Sequence, residues 1–196
     1  MAKILGNFHL ALLIGIVLLV AAMFGLHREA IGMAGYWAQW LRFVHVFAGV
    51  LWIGLLYYFN FVQIPTMPSV PAELKPAVSK YIAPAALFWF RWAALATVVL
   101  GLLVAEMSMG GYVQRALTLT EGYRTIGIGM WLGIVMAANV WFIIWPNQKK
   151  ALGIVQVDDA VKARAASTAM MASRTNLILS IPMLYCMVAQ THIGGA

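Results

Sequence analysis

The chain contains very little cysteine and little charge for its length. Its 196 residues include one cysteine, Cys186, which excludes a disulfide framework, a cysteine zinc site and covalent heme attachment through Cys-x-x-Cys-His. Charged residues make up 10% of the chain and hydrophobic residues 63%. Because this leaves too little charged surface for an ordinary soluble domain, the composition predicts an integral membrane protein.

Acidic residues are scarcer than basic ones. Six Asp and Glu stand against 13 Lys and Arg, for a formal net charge of +7. The basic residues are scattered through loops and predicted helix ends, which is typical of membrane orientation and not of a nucleic-acid surface. We therefore expect no nucleic-acid binding.

The chain contains long apolar runs. A bilayer core needs about 20 apolar residues in a helix, and five runs meet that need, at 8–26, 37–64, 84–107, 126–145 and 172–191. Lipid tolerates no unpaired backbone, so each run is predicted to be helical. The second is expected to close at Pro65, Pro68 and Pro71, and the fourth before Pro146. The sequence thus predicts an all-α, single-domain protein (1–196), an integral membrane bundle of five transmembrane helices.

The first run resembles a secretory signal but is predicted to be retained. Lys3 precedes it, yet His27, Arg28 and Glu29 follow it without a small-residue cleavage site.

Basic residues in the loops predict the orientation of the spans. The amino terminus and the loops at 65–83 and 147–174 carry Lys3, Lys75, Lys80, Lys149, Lys150, Lys162, Arg164 and Arg174. The opposite side carries Arg28, Arg42, Arg115 and Arg124. The positive-inside rule then places the amino terminus in the cytoplasm and the carboxyl terminus in the periplasm, across a bacterial inner membrane.

The second span contains the histidine of greatest interest. His45 follows Trp37 by eight residues, about 12 Å along a helix, so it is expected inside the membrane. Gly49 and Trp52 follow on the same helix face, which therefore has a position without a side chain and then a large aromatic ring. We expect this face to accept a flat macrocycle, with His45 as an axial ligand of a b-type heme.

The second ligand to the heme iron is predicted to be His192 or His27, at span ends on the same side of the membrane. His9 lies at the opposite end and is expected to be too distant. The structural alternative is that His45 donates a hydrogen bond to a backbone carbonyl of a neighbouring helix while the other two histidines lie in the interface.

Polar residues also gather at the cytoplasmic half of the predicted bundle. Two arginines with side-chain amides are expected to hold an anionic or carbonyl-bearing ligand, such as a quinone headgroup or a purine. These candidate substrate-binding residues are Arg91, Arg174, Asn60, Asn139 and Asn176. Alternatively, the arginines extend to lipid headgroups and the amides tie helices together.

Four segments carry a family resemblance. The runs WLRFVHVFAGVLWIGLLYYFNFVQIP, FWFRWAALATVVLGLL, NVWFIIWPNQKK and SRTNLILSIPMLYCM resemble, in this order, the membrane domain of bacterial cytochrome c-linked urate oxidases. The resemblance covers about 40–192. It places on motif positions of the family the residues His45, Trp52, Asn60, Arg91, Asn139, Trp145, Asn147, Gln148, Arg174, Asn176 and Pro182. Members of that family carry a periplasmic cytochrome c after this domain, and since this chain stops at Ala196 we expect its electron acceptor to be a separate protein.

Three functions remain open from the sequence. The first is a membrane electron-transfer subunit that binds heme b and exchanges electrons with a periplasmic cytochrome partner. The second is a urate- or purine-oxidising membrane enzyme, and the third is a noncatalytic structural subunit of a larger membrane complex. The expected partners are therefore membrane lipid, a cytochrome c or other complex subunits, and a quinone or purine ligand.

Overall fold

The architecture is known from a computed structural model that describes residues 2–33 and 35–193, with the side chains of residues 191 and 192 excepted. The described residues form helices and turns and no strand, which confirms the all-α prediction. Contacts between Cα atoms divide the chain into two compact units between Trp40 and Leu41. A single domain over 1–196 stays a prediction.

The helices vary widely in length. The α-helices, in chain order, are α1 (Ala2–Leu5), α2 (Phe8–His27), α3 (Tyr36–Tyr57), α4 (Ile64–Thr66), α5 (Lys75–Ala77), α6 (Ala83–Ser108), α7 (Tyr112–Leu117), α8 (Arg124–Asn139), α9 (Trp145–Ala151) and α10 (Asp159–His192). Wider π-helical turns form π1 (Tyr58–Gln63), π2 (Val78–Ile82) and π3 (Val140–Ile144), and Met67–Ser69 is a 3₁₀ turn.

The first unit is dominated by α2. The Asn7 side chain caps this helix by accepting hydrogen bonds from the backbone N–H groups of His9, at 3.0 Å, and Leu10, at 3.3 Å. Helix α2 buries none of its side chains, which suits a helix surrounded by lipid.

In the second unit, α3 runs antiparallel to α6 and to α10. The Phe59 and Phe90 rings meet edge to face, with 5.5 Å between their centroids, and nearer the start of α3 His45 contacts the end half of α6 at Gly101. On the α10 side, Tyr57 Oη lies 3.3 Å from Ser180 Oγ. These contacts place α3 between α6 and α10.

Helix α8 packs against both α10 and α6 and completes a bundle of four long helices. The Asn139 amide donates to the Ala172 carbonyl of α10, and at the other end of α8 the Ile126 N–H donates to the Gln190 side chain. Towards α6, Trp141, just beyond α8, donates its indole N–H to the Arg91 carbonyl at 3.1 Å. The four long helices therefore form an up-down-up-down bundle in the order α3, α6, α8, α10.

Prolines widen these helices where they lie within them. The fourth span was expected to end before Pro146 and continues to Ala151, whereas the second passes Pro65 and ends at Ser69, among the three prolines predicted to close it. Each π segment ends two residues before a proline, at Pro65, Pro84 and Pro146. In π1, for example, the Ile64 N–H bonds to the carbonyl of Phe59, five residues back. Proline lacks an N–H and clashes with the carbonyl four residues earlier, so a wider turn lets the helix continue.

Four helical stretches of the described chain are long and apolar enough to cross a membrane, which indicates a membrane protein. They are Phe8–His27, Tyr36–Ser69, Lys75–Ser108 and Arg124–Ala151. The fifth predicted span falls in α10, where Arg174 and Asn176 lower the hydropathy. Its insertion, and the orientation of the termini, stay predictions.

Candidate functional site

The imidazole of His45 is held against α6 by one hydrogen bond. Its Nδ1 lies 2.8 Å from the backbone oxygen of Thr97, and the side chain is half-buried. A carbonyl oxygen only accepts, so Nδ1 carries the proton and donates. In the neutral ring the lone pair therefore resides on Nε2, the arrangement that metal-ligating histidines commonly adopt.

Gly101 makes room for this ring. A Cβ atom at Gly101 would lie 3.1 Å from Nδ1 and 2.8 Å from Cε1 of His45, and the second distance is shorter than real Cβ atoms show. The missing side chain lets the imidazole lie directly on the α6 backbone.

The helix face that was expected to accept a macrocycle is covered by protein. A Cβ at Gly49 would meet Thr97 Cγ2 at 3.7 Å, and Trp52 is 1% exposed within the hydrophobic core. Position 49 thus faces α6, with room for a methyl group between the two helices. The donor chemistry of His45 fits an axial heme ligand, but the Gly49 and Trp52 face does not fit a porphyrin.

The other two predicted ligands are the last residues of long helices. His27 ends α2 in the first unit, and His192 ends α10, with its side chain outside the described residues. Their role as ligands stays a prediction. Among the residues described, no three or more His, Cys, Asp or Glu side chains lie close enough together to hold a metal ion.

The three predicted asparagines gather at the other half of the bundle. Asn139 Nδ2 donates to Asn176 Oδ1 at 2.7 Å, and Asn176 Nδ2 donates to the Met136 carbonyl at 3.0 Å. Asn60 Nδ2 donates to Ser173 Oγ at 2.9 Å. All three hydrogen bonds join α10 to a neighbouring helical segment, so these asparagines tie the bundle together.

Several polar atoms of this region are buried without a hydrogen-bond partner in the structure. They are the amide oxygens of Asn60, Gln63 and Asn139 and the indole nitrogen of Trp52. The amide nitrogens of Asn60 and Asn139 each donate to a backbone carbonyl, which fixes the orientation of both groups. The unpartnered atoms of the two asparagines are therefore hydrogen-bond acceptors.

The two predicted arginines do not join this cluster through any described hydrogen bond or ring contact. Arg91 lies over the Trp145 ring, with 3.9 Å from Cζ to the centroid, and over Phe88 at 5.5 Å. Arg174 is exposed on α10. The structure thus joins Asn139 to Asn176, ties Asn60 to the same helix α10 through Ser173, and places Arg91 with aromatic rings.

Sequence reasoning missed the α6 residues that hold His45. Thr97 contributes only its backbone carbonyl and Gly101 has no side chain, so neither residue type indicates a contact of this kind. Their four-residue spacing, which places them on one helix face, was the one available signal.

Comparison with known proteins gives one match. Residues 118–194 match the family model described as urate oxidase N-terminal, a region that includes Asn139, Trp145, Arg174 and Asn176. No curated protein matches the chain, and no solved structure matches it either. The matched region, from α8 to α10, is thus similar to the urate oxidase family. This supports the resemblance to urate oxidases and does not test the link to a cytochrome c.

Proposed function

We propose that this chain is a membrane electron-transfer subunit, related to the urate oxidases, in which His45 is an axial ligand of a b-type heme. The hydrogen bond from His45 Nδ1 to the Thr97 carbonyl is the contact that the structural alternative predicts, and it is also the observation that supports this proposal most directly. It directs the ring and leaves the Nε2 lone pair for iron. A bound heme supplies reversible one-electron oxidation and reduction.

The residues around His45 have separate parts in this function. The Thr97 carbonyl keeps the proton on Nδ1, and Gly101 sets the distance of the ring from α6. The second ligand in this proposal is His27 or His192.

The electron partner in this proposal is a periplasmic cytochrome c, reached from a chain in the bacterial inner membrane. Support comes from the resemblance to cytochrome c-linked urate oxidases and from the distribution of basic loop residues. The match to the urate oxidase N-terminal model supports the relationship without assigning the partner.

An absorption spectrum tests the proposal. Protein purified in detergent with added heme should show a Soret band, and dithionite reduction should sharpen the α and β bands of a low-spin b-type heme. Oxidation by added cytochrome c should then reverse the change. A colourless protein after heme supplementation would refute the proposal.

Purine oxidation is a second candidate, favoured by the family match and by the unpartnered oxygens of Asn60 and Asn139. A purine such as urate presents N–H groups, which these acceptors suit. In this candidate a bound heme would accept electrons from the purine and pass them to the cytochrome, and the purine would release its protons to water. Urate-dependent heme reduction in the wild type, diminished in Asn60→Leu, would support it, and no reduction at saturating urate would exclude it.

A further inference from the structure

Two cationic side chains from different helices lie close to one indole ring. The Arg91 guanidinium carbon lies 3.9 Å from the centroid of the Trp145 ring, and the Lys149 ammonium nitrogen lies 5.8 Å from the same centroid. Arg91, Trp145 and Lys149 are all half-buried. Arg91 comes from α6 and the other two residues from α9, so the bundle itself assembles this group, which we call the Trp145 cation pair.

The positive charge of this pair is not neutralised within the described residues. No carboxylate of the described chain forms an ion pair with Arg91 or Lys149, and neither side chain has a hydrogen bond to a protein acceptor there. The indole face attracts both cations, but it carries no net negative charge. Like-charged groups that are half-buried against one ring repel each other, and an anion that binds both relieves this repulsion.

The surroundings of the pair are apolar and exposed. Phe88, Trp89 and Trp92 flank Arg91 on α6 with exposed fractions of 46%, 55% and 45%, and Phe142 in π3 is 79% exposed. In a chain that crosses a membrane, such faces contact lipid tails, and tryptophans gather near the headgroups. An anion attached to acyl chains would gain contact with these rings, whereas a free anion would not.

We propose that the Trp145 cation pair binds the phosphate of an anionic phospholipid. The phosphate of such a lipid has at least two free oxygens, which the planar guanidinium of Arg91 can meet as a fork while Lys149 supplies a point charge, and its net negative charge offsets that of the pair. The acyl chains lie along the exposed rings of α6 and π3. This use of Arg91 differs from the predicted purine or quinone site, because it pairs Arg91 with Lys149 and not with Arg174.

Native mass spectrometry of the detergent-purified full chain, titrated with phosphatidic acid or with phosphatidylcholine, tests this proposal. The matched variants are Arg91→Gln and Lys149→Gln, and the control is Lys162→Gln, which removes an exposed lysine of α10. We expect each matched variant to bind phosphatidic acid about tenfold more weakly, as the loss of one charge-assisted contact predicts. Lys162→Gln should bind it as the wild type does, and phosphatidylcholine should bind weakly to all four proteins.

Unchanged affinity in both matched variants would overturn the proposal, as would an equal loss in Lys162→Gln. Inorganic phosphate that displaces phosphatidic acid at equal concentration would show a free-anion site, which also overturns the assignment to lipid. Should Arg91→Gln fail to fold, Lys149→Gln alone decides between these outcomes, since Lys149 lies in the short helix α9 and makes no described hydrogen bond through its side chain.

Discussion

The imidazole of His45 lies on the backbone of Gly101, so closely that a methyl group at position 101 would be 2.8 Å from its Cε1 atom. Gly49, one turn further along α3, faces α6 with ordinary clearance, since its Cβ would be 3.7 Å from the Thr97 methyl. The two glycines lie at the same helix pair and differ in what an added methyl group would meet. They therefore offer a matched test of the His45 geometry.

We predict that Gly101→Ala lowers heme content several-fold, because the methyl group displaces the imidazole from α6 and breaks its hydrogen bond to Thr97. Gly49→Ala should retain the wild-type content. The measurement is the ratio of heme to protein after purification with added heme. Equal heme content in both variants would mean that the position of the ring on α6 has no part in heme binding.

The glycines of α8 provide a second matched pair, on stability. A Cβ at Gly129 would lie 2.9 Å from Cys186 Cβ on α10, whereas one at Gly133 meets nothing within 4 Å. Gly129→Ala is expected to cost about 1–3 kcal/mol through overpacking. Gly133→Ala is expected to be neutral or to stabilise by up to about 1 kcal/mol through helix propensity. Thermal unfolding in detergent distinguishes them, and a similar loss in both would contradict the packing of α8 on α10.

A double-mutant cycle tests the asparagine cluster. Asn139 donates to Asn176 at 2.7 Å, so Asn139→Leu and Asn176→Leu should each destabilise the bundle and their effects should not add. Hydrogen bonds between membrane helices have measured couplings of about 0.6–1.7 kcal/mol, and we expect a value in that range. Strictly additive losses in the free energy of unfolding would show that the two amides do not interact.

Proline substitution tests the origin of the π turns. Replacing Pro146 with alanine restores an N–H that can bond four residues back, so π3 should tighten towards an α-helix and rotate Trp145 relative to Asn139. We expect the fluorescence of Trp145 to shift in a background where the other tryptophans are phenylalanine. An unchanged emission spectrum would show that the wide turn does not depend on the proline.

The sequence predicted four apolar spans that the structure confirms, because hydropathy and length act locally, and the fifth stays a prediction. It also predicted that Asn139 and Asn176 would meet, since side-chain amides in apolar helices form hydrogen bonds with neighbouring helices. It misplaced the helix ends at Pro65 and Pro146, because a proline rule based on α-helices does not anticipate a π turn. The contact of His45 with Thr97 was predicted only as the structural alternative, because any residue can supply a backbone carbonyl. The sequence did not predict that α6 covers the helix face at Gly49, because this depends on how the two helices pack in three dimensions.

The heme content of His45→Ala, compared with that of His9→Ala, tests the central claim most directly. His9 is an exposed histidine of α2, so its replacement controls for the loss of an imidazole elsewhere in the chain. Our account predicts that His45→Ala loses nearly all of its b-type heme, measured as the pyridine hemochrome, while His9→Ala keeps the wild-type amount. Full heme content in His45→Ala, or no heme in the wild type, would contradict it.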